Sequence, residues 1–449
     1  MTSREKMLAE GKINHVLKVL AVPATIAMFV NAMYNIVDTI FIGRGVGAMG
    51  IAGVAIYLPI QMFMIATAQL VGIGAASYIS RLIGERDYKK VNLVAGNAMI
   101  LMILIGAVFT TIGLIYIDKI LILFGAIGNI FPYAKEYAFI MIFGILFHPF
   151  VVMCCALIRS EGNTKDATYS MFLGFLSNII LDYFFIFPLN MGIKGAAFAT
   201  ILAKFFQLIY IIFYLNSGKT IFKIKLSDFR LQGSIIKNIV SIGASAFILV
   251  GAESIVAIVI NNSLAYYGGE IYLSIYGIIY KIILFTYMPL RGITQGIQPI
   301  IGYNYGAKKL NRVKETVKLS IIITVIIGTI SCILGELFPG VIVSIFTINK
   351  EIILKSKVIL RIVMIFIPLM GVPLIATTFY QSIGRVGQSL FFSLLRQIIL
   401  FIPLALILPN INNLKVWGLW FSFPISDFLS MIITSMFLLK EVKKYKKKI

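Results

Sequence analysis

Four polar side chains in otherwise apolar stretches are the residues best suited to chemistry: Asp38, Asn178, Asp182 and Thr200. Asn178 and Asp182 are four positions apart, a spacing that puts both on one face of a helix. Two carboxylates, an amide oxygen and a hydroxyl are hard oxygen ligands of the kind that a small cation requires, and paired carboxylates can share one proton. The four residues therefore predict a site for H⁺ or Na⁺. A structural interpretation is also open, in which Asp38 faces interfacial water and Lys204 neutralises Asp182.

Three further charged residues lie in apolar stretches of the second half of the chain: Glu253, Lys281 and Asp427. A charge at membrane depth costs about 2.5–3.5 kcal/mol on insertion scales, so it needs a partner or a water-filled cavity. Glu253 and Lys281 either form a buried pair that fixes the packing or contribute to substrate binding. The sequence does not distinguish these two interpretations.

The composition indicates what must position these residues. Hydrophobic residues make up 59% of the chain and charged residues only 13%, which is too apolar for a soluble protein of this length. Uninterrupted apolar runs of about 20 residues without strict alternation are typical of membrane-spanning helices. The sequence therefore predicts an all-α polytopic membrane protein. We predict twelve spans: 14–42, 51–79, 91–117, 134–158, 167–188, 195–216, 238–263, 272–298, 316–337, 357–380, 389–408 and 416–439.

The spans fall into two sets of six with a recurring offset. Gly84 precedes Gly306 by 222 positions, and Gly162 precedes Gly384 by the same number. This repeat predicts a duplicated unit with two like-oriented six-helix lobes, the architecture of a secondary transporter. We predict an N-lobe over 1–216, a cytoplasmic linker over 217–237 and a C-lobe over 238–449. Gly84 and Gly306 fall in basic loops, where a tight turn is the simplest role.

The net charge of +22 follows the loops. Lys and Arg collect at the N-terminus, in alternate loops and in the tail from Lys440 to Lys448, whereas the other loops carry few. The positive-inside rule then places both termini in the cytoplasm. We predict that the protein lies in a plasma or inner membrane and that its tail contacts anionic lipid. This distribution argues against a nucleic-acid partner. No cleavable signal, disulfide, metal motif or cofactor is expected.

The chain resembles the multidrug and toxic compound extrusion (MATE) family, most closely its MepA-like branch. The resemblance covers nearly the whole chain. It is carried by Pro23 with NAMYNIVDTIFIG, by RSEGNTKDATYSMFLGFLSNIILDYFF, by GIKGAAFAT and by GITQGIQPIIGYNYGAKKLNRVKE. It implies two lobes in a V shape and cation-coupled export by alternating access.

The resemblance also implies roles for particular residues. Asp38, Asn178, Asp182 and Thr200 match the N-lobe cation or proton site of prokaryotic members. Glu253 looks like a seventh-helix acid used in other branches. The tenth-helix Asp of those branches has no counterpart between Lys357 and Tyr380, which argues against a sodium site in the C-lobe.

A cavity with acids, aromatic residues and Met suits lipophilic cations. Besides Glu253, we predict a substrate-binding lining from Met33, Tyr34, Gln61, Met64, Met288 and Gln295. Pro23 is predicted to bend the first helix, and Lys204 and Lys281 are predicted to modulate the charge of the cavity. Lys204, one turn from Thr200, would lie beside Asp182 and favour H⁺ over Na⁺ as the coupling ion.

Two other functions are considered. A lipid-linked oligosaccharide flippase would require a strongly cationic cavity, but Lys204, Lys281 and Arg291 are scattered and matched by acids. An intramembrane enzyme is disfavoured because the sequence has no HExxH motif or Ser/His pairing. We therefore expect a monomeric exporter of small molecules that is not an enzyme.

Overall fold

The computed structural model describes residues 2–412 and 414–446, and helices are the regular elements of that part. The N-terminal half contains α1 (Ser3–Glu10), α2 (Ile13–Gly45), α3 (Ala48–Glu85), α4 (Tyr88–Leu123), α5 (Ile130–Gly144), α6 (His148–Ser160), α7 (Thr164–Ile186) and α8 (Gly192–Asn216). The C-terminal half contains α9 (Gly233–Tyr267), α10 (Gly269–Gly306), α11 (Leu310–Leu337), α12 (Pro339–Ser344), α13 (Lys350–Met364), α14 (Gly371–Ser382), α15 (Val386–Leu394), α16 (Ile402–Ile407) and α17 (Val416–Lys446).

Ten helices in the described ranges are long and apolar enough to cross a membrane, and two bent pairs bring the number of spans to twelve. The bends are 43° between α5 and α6 and 44° between Lys350–Leu369 and α14. Pro149 in the first turn of α6 has no N–H to donate and its ring crowds the preceding turn, so α5 cannot continue through it. The predicted all-α fold with twelve spans is confirmed.

The helices extend beyond most of the predicted spans because their ends are polar. The second predicted span, 51–79, corresponds to the longer α3, and the eighth, 272–298, corresponds to α10, which continues to Gly306. Hydropathy detects only the part of a helix that must be apolar, about 30 Å of bilayer. The extra turns at the ends of α3 and α10 carry contacts between the two halves.

Small residues bring the two halves together. A Cβ atom on Gly74 of α3 would lie 2.0 Å from the carbonyl oxygen of Ile239 in α9, and a Cβ on Gly296 of α10 would lie 2.7 Å from Cα of Ala21 in α2. Gly74 and Gly296 are 222 positions apart. The contact between α3 and α9 and the contact between α10 and α2 are therefore equivalent under the duplication.

Gly84 and Gly306 make a second pair of repeated contacts, and the prediction that they form tight turns was wrong. Both lie inside helices, and a Cβ on either would come within 2.0–2.1 Å of a carbonyl oxygen in the opposite half, that of Tyr303 or Arg81. The chain turns instead at Arg86 and Lys308, which adopt left-handed φ angles of 63° and 59°. Each glycine allows two helix backbones to approach closely.

The short helix α1 contacts both halves at this end of the bundle. Arg4 donates a hydrogen bond to Glu161 in the N-terminal half, whereas Arg312 in the C-terminal half donates to the carbonyl oxygens of Leu8 and Gly11 at 3.0 and 2.7 Å. Burial raises the pKa of the Glu161 carboxyl, and its hydrogen bonds and Arg4 act in the opposite direction. Because α1 and the residue that follows it contact both halves, the halves are joined at the end of the bundle that carries the N-terminus. We call this the closed end.

Burial along α2 changes from one end to the other. Val16 and Leu20 are fully buried near the closed end, whereas Met33 and Ile40 are 42% and 47% exposed further along the same helix. Contacts between the halves reach as far along α2 as Met28, which touches Gln295 of α10. The halves are therefore joined at the closed end and separate toward the other end, which leaves a cleft between them.

Candidate functional site

The N-terminal half brings the four predicted residues together in one buried cluster. Asp38 lies on α2, Asn178 and Asp182 lie on α7, and Thr200 lies on α8. Both α2 and α8 pack against α7. Asn178 and Asp182 are fully buried, and Asp38 and Thr200 are 8% and 4% exposed.

The two acids lie close enough to interact electrostatically, and Asn178 interacts with Asp182. Neither side-chain oxygen of Asp182 has a partner with hydrogen-bond geometry, and the same holds for the polar side-chain atoms of Asn178 and for Oδ1 of Asp38. No Lys or Arg of the described chain lies within ion-pair distance of either acid. Such a cluster has several acceptor oxygens and no counter-charge, so it can take up a proton or a small cation.

Tyr34 connects this cluster to α8. Its hydroxyl donates a hydrogen bond of 3.2 Å to Thr200 Oγ1, and Lys204 Nζ lies 5.0 Å from the centre of its ring. The sequence predicted Lys204 beside Asp182, and this placement was wrong. The ring of Tyr34 occupies the position next to Lys204, so the ammonium group makes a cation–π contact instead of an ion pair.

A small cavity of about 10 Å³ lies behind Thr200, with room for roughly one water molecule. Of the predicted lining residues, Gln61 and Met64 border this cavity, together with Lys204 and His148. His148 was not among the predicted lining residues. No spacing in the sequence relates His148 to Lys204, since the bend at Pro149 and the packing of α6 on α8 bring them together.

Pro23 has a definable structural effect. Its ring nitrogen cannot donate to the carbonyl of Val19, and Thr164 Oγ1 of α7 donates to that carbonyl at 3.4 Å. Thr168 Oγ1 donates to the carbonyl of Pro23 itself at 2.9 Å. The turn of α2 that lacks this backbone hydrogen bond is therefore stabilised by α7, the helix that carries Asn178 and Asp182.

A polar stripe on α2 was missed by the sequence analysis. Asn31, Asn35 and Thr39 are exposed and follow one another at four-residue spacing, with Asn35 bonded to the Asn31 carbonyl and Thr39 to the Asn35 carbonyl. Polar side chains at membrane depth avoid lipid, so this face of α2 borders the cleft. The spacing within NAMYNIVDT was the signal that could have identified the stripe.

The C-terminal half pairs its charges. Glu253 Oε1 accepts a hydrogen bond of 2.6 Å from Arg291 Nη2, and Asp427 Oδ1 accepts one of 2.6 Å from Arg396 Nε. Of the two interpretations left open for Glu253 and Lys281, the buried pair was wrong, and Lys281 is exposed. Lys281 and Arg291 both lie on α10, and Arg291 is about 15 Å closer to the closed end, at the depth of Glu253.

The remaining predicted lining residues differ in accessibility. Met33 is 42% exposed and Met288 only 7%. Gln295 is half-buried at the base of the cleft, where its Nε2 donates to Met28 Sδ at 3.6 Å. The floor of the cleft is thus formed by residues from both halves.

The MatE family profile matches the chain twice, over residues 23–184 and 245–407, which together cover more than half of it. The chain belongs to the MatE family. The second match begins 222 residues after the first, so the predicted duplication is confirmed. The boundaries proposed at 216 and 238 remain predictions, although one match falls in each proposed lobe.

Relatives and solved structures agree with this membership. The multidrug export protein MepA of Staphylococcus haemolyticus is 27% identical over 431 residues, 94% of each chain. The structure of the MATE multidrug transporter DinF-BH is 39% identical over 95% of each chain, with a TM-score of 0.88. The outward-facing conformation of a multidrug resistance MATE family transporter is 26% identical over the whole of both chains, with a TM-score of 0.94.

These matches confirm the resemblance to MATE transporters and to MepA-like exporters. The protein is a multipass membrane transporter of the multidrug-efflux kind. The two-lobe layout of twelve spans agrees with the MATE structures.

Proposed function

We propose that this MATE transporter exports lipophilic cationic compounds in exchange for protons. The observation that carries the proposal is the pair of adjacent buried carboxyl groups, Asp38 and Asp182, without a basic partner. Two such groups cannot both be ionised in a water-poor site at low energetic cost, so they hold a proton until a cation replaces it. Exchange of the proton for a cationic substrate couples the two fluxes.

Protons are favoured over Na⁺ by the ligand set. A bound metal cation needs several oxygen ligands arranged around it. A metal ion would share the Thr200 oxygen with the hydrogen bond from Tyr34. Its other ligands would come from Asp38, Asn178 and Asp182. A proton requires only the two carboxyl groups. The argument from Lys204 no longer supports H⁺, because that residue contacts Tyr34.

The orientation in the membrane follows from charge. Arg4, Lys6 and the basic turns around Arg86 and Lys308 lie at the closed end, and the positive-inside rule assigns this end to the cytoplasm. Both termini are then cytoplasmic and the cleft opens outward. The lipid-contact prediction for the tail extends to Lys447 and Lys448, which lie outside the described residues. We retain a monomer as the proposed transport unit.

A lipid-linked oligosaccharide flippase lacks a comparable observation in its favour. Arg291 and Arg396 each have a carboxylate partner, so these two arginines do not supply the excess positive charge that a pyrophosphate would need.

The test uses purified protein in proteoliposomes and a fluorescent cationic dye. Under the proposal, a pH gradient alone drives dye transport in sodium-free buffer, and a sodium gradient at equal pH does not. Transport that requires Na⁺ and ignores the pH gradient would overturn proton coupling and make the four oxygen-bearing residues a sodium site.

A further inference from the structure

The Arg291–Glu253 pair lies on the wall of the cleft. It joins α9 and α10, the C-terminal helices that pack most extensively against the N-terminal half. Arg291 is one turn further from the closed end than Gln295, which touches Met28 across the two halves. On α9, Phe247 contacts the opposite half, with its ring 5.9 Å from that of Phe63. Glu253 is about 9 Å further along α9 than Phe247, away from the closed end.

The pseudo-symmetry of the chain supports this location. At the 222-residue offset, Glu253 corresponds to Asn31, the first residue of the polar stripe that borders the cleft on α2. Arg291 corresponds to Gln69. The equivalent positions of the N-terminal half are therefore polar but uncharged, and the charged pair belongs to the C-terminal wall alone.

The pair is accessible and retains bonding capacity. The side chains of Arg291 and Glu253 are 44% and 36% exposed, unlike Asp427, which is 3% exposed beside Arg396. Arginine has five N–H donors in a fork that matches a carboxylate. Nη2 donates to Glu253 Oε1, so other donors of Arg291 remain for a second acceptor. Tyr280, half exposed, lies close enough to interact with both charges.

We propose that Arg291 binds the carboxylate of zwitterionic substrates, which competes with Glu253 for the guanidinium group on the wall of the cleft. A substrate that carries both a cationic and a carboxylate group then meets opposite charges on opposite walls, the acids of the N-terminal half and Arg291 of the C-terminal half. A purely cationic substrate uses the first wall only. The proposal deepens the proposed function, on which it rests for the role of the N-terminal acids.

A matched pair of dyes tests this subsite. One is a cationic rhodamine ethyl ester, and the other is the corresponding free acid, a zwitterion on the same ring system. Binding to the purified protein is measured by fluorescence anisotropy in detergent, so the readout does not depend on ion coupling. Loss of proton coupling with intact dye binding would count against the proposed function only.

Three variants give distinct expectations. Arg291→Gln weakens binding of the free acid by about tenfold and of the ester by less than about twofold, as expected for loss of one charged hydrogen-bonded contact. Glu253→Gln strengthens binding of the free acid several-fold, because it removes a competing carboxylate from Arg291. The double variant behaves like Arg291→Gln.

The matched control is the Arg361–Glu336 pair, which has similar exposure, 53% and 37%, and joins α13 to α11. Arg361→Gln leaves the binding of both dyes unchanged. Equal changes for ester and free acid in Arg291→Gln, or weaker free-acid binding in Glu253→Gln, would overturn the subsite. A misfolded Arg291→Gln protein does not block the test, since the gain expected for Glu253→Gln requires a folded site.

Discussion

The acids at membrane depth differ in their partners between the two halves. In the N-terminal half, Asp38 and Asp182 face each other without a cation, whereas in the C-terminal half Glu253 and Asp427 each receive a hydrogen bond from an arginine. The same backbone unit therefore carries two kinds of chemistry. The free energy of a cluster of unpaired acids depends strongly on whether a proton or a cation is bound to it. The charge of a paired acid is already balanced by its arginine.

The features that the duplication preserves are those of close helix packing. The contacts of Gly74 and Gly296, and those of Gly84 and Gly306, recur at the 222-residue offset. Asp38 and Asp182, by contrast, correspond to Ile260 and Leu404. Helix packing needs both copies because the halves meet across a pseudo-two-fold axis, whereas the proposed coupling site needs only one.

The largest expected effect comes from neutralising one acid in each half. Asp182→Asn abolishes pH-driven dye transport, because one remaining carboxyl group has no partner with which to share the proton. Its thermal stability stays close to that of the native protein, since no ion pair is lost. Asp427→Asn does the reverse: it leaves Arg396, whose side chain is 25% exposed, without a counter-charge and costs about 3 kcal/mol of stability.

The measurements are proteoliposome transport and thermal unfolding in detergent, both performed on both variants. Asp38→Asn is the internal control, and combining it with Asp182→Asn adds little, because the two acids act as one unit. Transport at the native rate by Asp182→Asn, or loss of transport in a fully stable Asp427→Asn protein, would remove the distinction between the halves.

The sequence predicted much of the fold and the residues of the buried acidic cluster because both depend on patterns within single helices. Apolar runs identified the spans, and the four-residue spacing placed Asn178 and Asp182 on one face. The partners of Lys204 and Glu253 could not be predicted in the same way. They depend on how far neighbouring helices extend and on where α5 and α6 bend, which apolar runs do not specify.

The second prediction concerns the contact at the closed end, which both halves share. Gly74→Val forces a side chain into the carbonyl of Ile239 and separates α3 from α9. We expect transport to fall several-fold and the closed end to open, as measured by distances between spin labels on α3 and α9. Gly251→Val is the control on α9, because a Cβ there meets nothing within 4 Å. An unchanged distance in Gly74→Val would show that close approach at this point is not required.

The smallest expected effect is that of replacing Lys204. Its ammonium group lies over the ring of Tyr34 and forms no ion pair with Asp38 or Asp182. Lys204→Met should therefore lower dye transport by less than about threefold and shift the midpoint of its pH dependence by less than about half a unit, which corresponds to under 1 kcal/mol of interaction. Tyr34→Phe, which keeps the ring but removes the hydrogen bond to Thr200, should shift the midpoint more. A shift of a full unit or more in Lys204→Met would mean that its charge reaches the acids, and the N-terminal cluster would then be partly neutralised, like the pairs of the C-terminal half.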